Sequence, residues 1–212
     1  MTREELKEAI LKLKKEKNTV ILAHYYQEED IQEVADFVGD SYGLSLEASK
    51  TNAATILFCG VHFMAETAKI LNPSKRVLLP DLNAGCSLSE GCEYDDFKAF
   101  KDKHPEHVVV MYINCTAAVK SISDYIVTSS NAVKIVNAIP KDKKIIFAPD
   151  RNLGKYIQKV TGREMLLWDA ICVVHEAFAT DKIMKLMLQY PEAELIAHPE
   201  SSEDVLELAN FI

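Results

Sequence analysis

Two groups of residues in this chain could do chemistry. Polar side chains stand at the ends of apolar runs: His24, Tyr26, Tyr112, Asn114, His198 and Glu200. Five cysteines, Cys59, Cys86, Cys92, Cys115 and Cys172, offer thiolates. Histidines and carboxylates move protons near neutral pH, hydroxyls and amides orient anionic substrates, and thiolates hold soft or borderline metals.

A twelve-residue interval recurs three times, from His24 to Asp36, Tyr112 to Asp124 and His198 to Asn210. The segments ILAHYYQEEDIQEVADFVGDS, VMYINCTAAVKSISDYIVTSS and LIAHPESSEDVLELANFI align without a gap from the first polar residue to the last apolar pair. Ser41 and Ser129 share one place in the first two copies, and the third matching place falls after Ile212. Self-similarity at a period of about 87 residues marks triplicated domains rather than a solenoid. Equivalent positions in three units raise the odds that the polar residues converge on a central cleft. The two serines keep two readings open. They cap the helical patterns that follow, or they help hold a carboxylate or phosphate at a helix N-terminus.

An odd cysteine count with no C-x-x-C pair argues against a disulfide framework. Within RVLLPDLNAGCSLSEGCEY and EMLLWDAICVVHEAF, Cys86 and Cys172 follow Asp81 and Asp169 in comparable loops. One such cysteine per unit predicts three thiolates in a triplicated protein. That set suits an iron–sulfur cluster with one iron lacking a protein ligand, or a zinc site with an open position. Cys92 is a weaker competitor, Cys59 reads as a buried strand residue, and Cys115 as a cleft wall. His62, His104 and His107 fall in charged, solvated stretches, whereas His175, three residues after Cys172, reaches the same cleft.

The elements that must position these groups alternate. The first seventeen residues read as a helix with a Thr2–Glu5 capping box and an apolar stripe of Leu6, Ala9, Ile10 and Leu13. Strand-like runs such as TVILAHYY, ATILFCG, HVVVMYIN and KIIFAPD then alternate with helical ones, the pattern of βαβ crossovers and parallel sheets. The expected fold is α/β: pseudo-symmetric, repeated three-layer α/β/α domains with parallel sheets, two complete units plus the start of a third. Residues 1–18 form a helix packing on the repeats, 19–106 the first unit, 107–192 the second and 193–212 the first strand and helix of the third. Ligands in such folds bind beyond the carboxyl ends of the strands, where the polar residues fall.

A net charge of -8 argues against nucleic-acid partners, which need basic surface. The N-terminus lacks a signal-peptide core and no run approaches a membrane span, so no membrane partner and a cytoplasmic location are expected.

Together, HYYQ, ADFVGDS, FMAETAKIL, PDLNAGCS, YINCTAAVK, TSSNAVKIV, PDRNLGKYI, CVVHEAF and HPE resemble the quinolinate synthase family, iron–sulfur enzymes of bacterial and archaeal NAD biosynthesis. The resemblance covers essentially all 212 residues. It implies three pseudo-symmetric domains around a 4Fe–4S cluster held by three cysteines. It implies a transferase that condenses iminoaspartate (iminosuccinate) with dihydroxyacetone phosphate, losing phosphate and two waters to give quinolinate, the cluster iron acting as Lewis acid. L-aspartate oxidase is implied as the supplier of iminoaspartate. By the same resemblance Cys86 and Cys172 match cluster ligands, and His24, Ser41, Tyr112, Asn114, Ser129, His198 and Glu200 match substrate contacts. Tyr26, His175 and Glu200 match catalytic groups. The third cysteine has no counterpart here; Ser201 stands where the family commonly has Cys, and Ala170 where it has Gly. A third domain lost by truncation is therefore expected, with weak cluster retention, little activity and an exposed interface prone to self-association. The alternative is a metal-free fragment that binds dicarboxylates or phosphates without catalysis. A zinc hydrolase built on Cys86, Cys172 and His175 lacks compact zinc spacing.

Overall fold

Strand and helix alternate through residues 1–212 of the computed structural model. In order they are α1 (Arg3–Glu16), β1 (Thr19–His24), α2 (Glu29–Val34), β2 (Phe37–Gly39), α3 (Ser41–Lys50), β3 (Thr55–Cys59), α4 (His62–Leu71) and β4 (Arg76–Leu78). There follow α5 (Ser87–Glu90), α6 (Tyr94–Asp102), β5 (His107–Tyr112), α7 (Ala117–Ser121), β6 (Tyr125–Val127), α8 (Ala132–Ala138), β7 (Lys144–Ala148) and α9 (Arg151–Thr161). The last elements are β8 (Leu166–Leu167), α10 (Val173–Glu176), α11 (Thr180–Gln189) and α12 (Glu203–Leu208). The chain divides into two units, Met1–Cys86 and Ser87–Ile212, each with one four-stranded parallel sheet. No helix is long and apolar enough to cross a membrane.

In the first unit the strand order is β2-β1-β3-β4. Alternation along β1 makes the layers, because successive side chains point to opposite faces of a sheet. Val20 and Leu22 pack with Ile56 and Phe58 against Leu44 and Ala48 of α3 and Phe63, Met64 and Ala68 of α4. Ile21, Ala23 and Cys59 form a smaller cluster with Ile10 of α1 and Ile31 of α2. The Thr2–Glu5 capping box is present at the start of α1. Its inward face is not the expected stripe: Lys7, Ile10, Leu11 and Lys14 are half-buried, whereas Leu6 and Leu13 stay about half exposed. The reason is electrostatic. Lys7 and Lys14 turn inward to pair with Glu33 at 3.0 Å and Asp36 at 2.9 Å.

The second unit repeats the order as β6-β5-β7-β8. Val109, Met111, Ile146 and Ala148 pack with Phe97 of α6 and Val119 of α7. On α9, Gly154 lets the helix lie close to the sheet: an added Cβ would stand 2.7 Å from Leu167 and 3.1 Å from Phe147. Cys115, expected at a cleft wall, is fully buried in the first of these clusters beside Cys92. The reason is that its run continues the apolar core of β5 past the strand end. His107, expected in solvent, opens β5 with a side chain only 12% exposed.

The recurring interval has a structural cause. The residue that closes it accepts a side-chain hydrogen bond from a backbone N–H 15 residues earlier, at 2.8 Å in every copy: Ile21 to Asp36 Oδ2, Val109 to Asp124 Oδ2, and Leu195 to Asn210 Oδ1. Each closing residue also donates its own N–H to the carbonyl of that same strand residue. This two-way clamp fixes the start of the second strand against the first. The next residues then enter parallel pairing, Leu22 with Phe37, Val110 with Tyr125 and Ile196 with Phe211.

Candidate functional site

In both sheets the first strand sends one connection to either side, so the chain reverses direction in strand order between β1 and β3 and between β5 and β7. A crevice at the carboxyl ends of the strands is expected at such a switch point.

In the first unit, His24 ends β1 at 6% exposure. Its Nδ1 accepts from the Tyr26 backbone N–H at 3.4 Å, and its ring lies 3.9 Å from that of Tyr26. With Nδ1 used as acceptor, the proton of the neutral ring sits on Nε2. Burial pulls the imidazole down to about 4, against the raising pull of Asp40, so His24 is neutral at pH 7. The Tyr26 hydroxyl lies 3.8 Å from Met64 Sδ. Burial of its hydroxyl end and the Cys86 sulfur beside it push the phenol up to about 12. His24, Tyr26 and Cys86 thus share one neighbourhood at the strand ends. Ser41 follows β2 as the first residue of α3, where the cap is Asp40, whose Oδ1 accepts from Gly43 N at 2.8 Å.

The second unit gathers more. Tyr112, at the end of β5, donates its hydroxyl to Glu200 Oε1 at 2.6 Å, and both residues are buried. His198 repeats the tautomer of His24: its Nδ1 accepts from the backbone N–H two residues on, Glu200 N at 3.3 Å, and its Nε2 lies 3.2 Å from Ser129 Oγ. Ser129 is not the cap of α8 either; Asn131 holds that position. The His175 ring stacks on that of His198 at 5.0 Å. His175 Nδ1 is 3.1 Å from Cys172 Sγ and 3.2 Å from Glu200 Oε2. One Nδ1 hydrogen serves one acceptor well; it aims at sulfur, leaving Glu200 Oε2 in ion-pair contact but without a hydrogen bond. Asn114 lies half-buried just beyond β5.

These contacts set the charges. The Cys172 sulfur and the Glu200 carboxylate beside it, outweighing partial burial, push the His175 imidazole up to about 10. Burial pushes the Glu200 carboxyl up, yet His175, Tyr112 and the neighbouring His198 together hold it below the usual range. Burial lowers His198 despite Glu200. At neutral pH the array is therefore an anionic Glu200 flanked by the His175 imidazolium, a phenol donor and a neutral His198.

Asp150 and Asn152, from the PDRNLGKYI segment, also join this array. Asp150 is fully buried and caps α9 through Leu153 N at 2.6 Å, while its Oδ2 has no hydrogen-bond partner. Burial, with the Glu200 charge adding, pushes it up to about 7. Asn152 Nδ2 donates to the Glu200 carbonyl at 3.1 Å and to Glu176 Oε2 at 3.2 Å. The available signal was an Asp at the end of a strand opening a helix, a pattern that also serves plain capping. Ser87 was missed as well: its Oγ donates to the Ile171 carbonyl at 3.3 Å and accepts from Val173 N at 3.2 Å, bracketing Cys172.

Against known proteins, residues 8–212 match the family model described as NadA, quinolinate synthetase A protein. Curated relatives named quinolinate synthase include one from Prochlorococcus marinus (strain MIT 9313), 61% identical over 100% of this chain and 63% of its own length. Another, from Nostoc punctiforme, is 64% identical over 96% of this chain and 63% of its own. Among solved structures, the E-1-hydroxy-2-methyl-but-2-enyl-4-diphosphate reductase from Plasmodium falciparum aligns over 99% of this chain and 70% of that one, at 14% identity and a TM-score of 0.36, too low to bear on the fold. The chain thus spans about 63% of the length of the curated relatives it matches. On the family match over residues 8–212, this chain belongs to the quinolinate synthetase A protein family.

Proposed function

We propose that this chain supplies substrate-binding and proton-transfer residues for quinolinate synthesis, the condensation of iminoaspartate with dihydroxyacetone phosphate with loss of phosphate and water. The observation that carries the reading is the linked array Tyr112–Glu200–His175–Cys172, flanked by His198 and Ser129, at the strand ends of the second unit. We further propose that 19–106, 107–192 and 193–212 are copies of one unit, the last matching the opening strand, helix and strand of the others; the three identical clamps support it.

The donor set fits an iron–sulfur group. Cys86 and Cys172 are the half-exposed thiols, whereas Cys59, Cys92 and Cys115 are buried. Burial pushes the Cys59 and Cys92 thiols up, away from the thiolate a metal requires. Cys86 and Cys172 would each offer a thiolate to such a group, which supplies a Lewis acid toward hydroxyl or carbonyl oxygen when bound.

The remaining work belongs to side chains. His24 and His198 present neutral Nε2–H donors; in the second unit His198, Ser129 and Asn114 would orient a carboxylate of iminoaspartate, and in the first His24 and Ser41 offer the same chemistry. Glu200 is the base, kept anionic by its neighbours, and the His175 imidazolium beside it is the acid for the departing phosphate or water. Tyr26, its phenol pushed up to about 12, stays protonated at neutral pH and presents a hydrogen-bond donor.

The test supplies the anaerobically reconstituted chain with dihydroxyacetone phosphate and iminoaspartate generated by L-aspartate oxidase. Quinolinate above the blank is expected, small in amount, and reduced about 10²-fold or more by Glu200→Gln. Substrate binding without product would favour the metal-free dicarboxylate or phosphate binder; neither binding nor product would overturn both readings.

A further inference from the structure

Cys172, His175 and Glu200 bring a sulfur, a nitrogen and an oxygen donor within 4.8 Å of one another. We propose that these three residues form a site of their own for a single divalent cation of the zinc class, independent of Cys86. Three features carry it. The spacing Cys-x-x-His places Cys172 at the N-cap of α10 and His175 one turn on, with Nδ1 and Sγ 3.1 Å apart and facing the same point. Glu200 Oε2, on a side chain only 3% exposed, lies 3.2 Å from that nitrogen and makes no hydrogen bond, so a buried acceptor is directed at the same point. Mixed sulfur, nitrogen and oxygen donors with a fourth position open are the set that borderline Zn²⁺ takes in tetrahedral geometry.

The outer contacts are those that hold metal ligands in place. Tyr112 donates to the other oxygen of Glu200, fixing which oxygen faces the cation, and His198 stacks on the His175 ring. Ser87 brackets Cys172 from both sides through the Ile171 carbonyl and the Val173 N–H. Zn²⁺ held there takes the thiolate that an iron–sulfur group would use, so the two compete for Cys172; along the first-row series zinc binds more tightly than ferrous iron at a given site.

The experiment is a titration of the reduced, metal-free 212-residue chain with Co²⁺, a spectroscopic stand-in for Zn²⁺, followed by displacement with Zn²⁺. It uses no substrate, so its result is separate from that of the quinolinate assay. Expected are one Co²⁺ per chain, a thiolate-to-cobalt charge-transfer band, and tetrahedral ligand-field bands that Zn²⁺ abolishes. Cys172→Ser removes the charge-transfer band, Cys86→Ser leaves it, and Glu200→Gln and Tyr112→Phe weaken binding about tenfold or more. Far-UV circular dichroism and a cooperative melt on each variant separate loss of the site from loss of the fold. The proposal is overturned by stoichiometric binding without a thiolate band, by a band that survives Cys172→Ser, by one that vanishes in a folded Cys86→Ser, or by no binding to the folded chain.

Discussion

Tyr112 and Glu200 meet at 2.6 Å with almost no access to water, so the phenol is the main donor to Glu200 Oε1. Hydrogen bonds to buried charged groups are worth about 1.5–3 kcal/mol. Tyr112→Phe removes this one, and the expected result is a 10- to 100-fold fall in any quinolinate formation with the fold retained, checked by product assay beside circular dichroism. His24 makes a different prediction. Its folded value, about 4, lies below the ordinary 6.5, so as pH falls the unfolded chain takes up the proton first. Stability is therefore lost between pH 6.5 and about 4, by on the order of 3 kcal/mol at most. His24→Gln removes that proton, and urea midpoints measured at pH 7 and pH 4.5 should differ less in the variant than in the parent chain. An equal difference would mean that His24 is not the group responsible.

The Asp124 clamp holds the second strand of its unit through the buried Val109 N–H. Asp124→Ala leaves that donor without its 2.8 Å acceptor and is expected to cost about 1–3 kcal/mol in denaturant melts. Asp124→Asn should cost well under that, because Asn210 makes the same bond in the third copy. A comparable test of layer packing is Gly154→Ala, whose Cβ would overlap Leu167 and is expected to cost about 1–3 kcal/mol by the same melts. How much of this was legible in the sequence follows from the kind of signal each element carries. The buried runs of β1, β3, β5 and β7 and the pattern HFMAETAKIL were readable because apolar periodicity reports burial directly. The interval ending at Asp36, Asp124 and Asn210 was visible as a spacing, but its cause was not, since an Asp before an apolar pair does not reveal which N–H it will accept. The inward turn of Lys7 and Lys14 on α1 was hidden for a related reason: their partners Glu33 and Asp36 come from another element, and the apolar stripe Leu6–Leu13 was the stronger local signal. The repeat placed His24 and His198 at matching positions, yet their shared tautomer needed the backbone N–H two residues on, and Asp150 and Ser87 resembled ordinary caps and loop residues.

The second unit carries apolar surface that its own layers leave exposed. On α11 the half-buried residues are Thr180, Ile183 and Met187, a set at i, i+3 and i+7 on which the helix rests, and no residue is fully buried. Met184 is 47% exposed, Leu186 56% and Leu188 83%, and Phe178 and Tyr190 at either end are also about half exposed. Single exposed leucines are ordinary, but several large apolar side chains along three turns form the kind of patch that mediates contact between molecules. A net charge of -8 opposes close approach, and salt screens that repulsion without weakening apolar contact. Self-association is therefore expected to rise with both protein concentration and salt. Sedimentation velocity should show a shift to larger species along both axes, and Met184→Lys with Leu188→Glu should return the boundary to monomer while leaving the melt unchanged. A monomer at every concentration and salt level would mean that the α11 face is tolerated in water. Association that survives the double variant would place the contact on the exposed Val173–Val174 or Ile196–Phe211 surfaces instead.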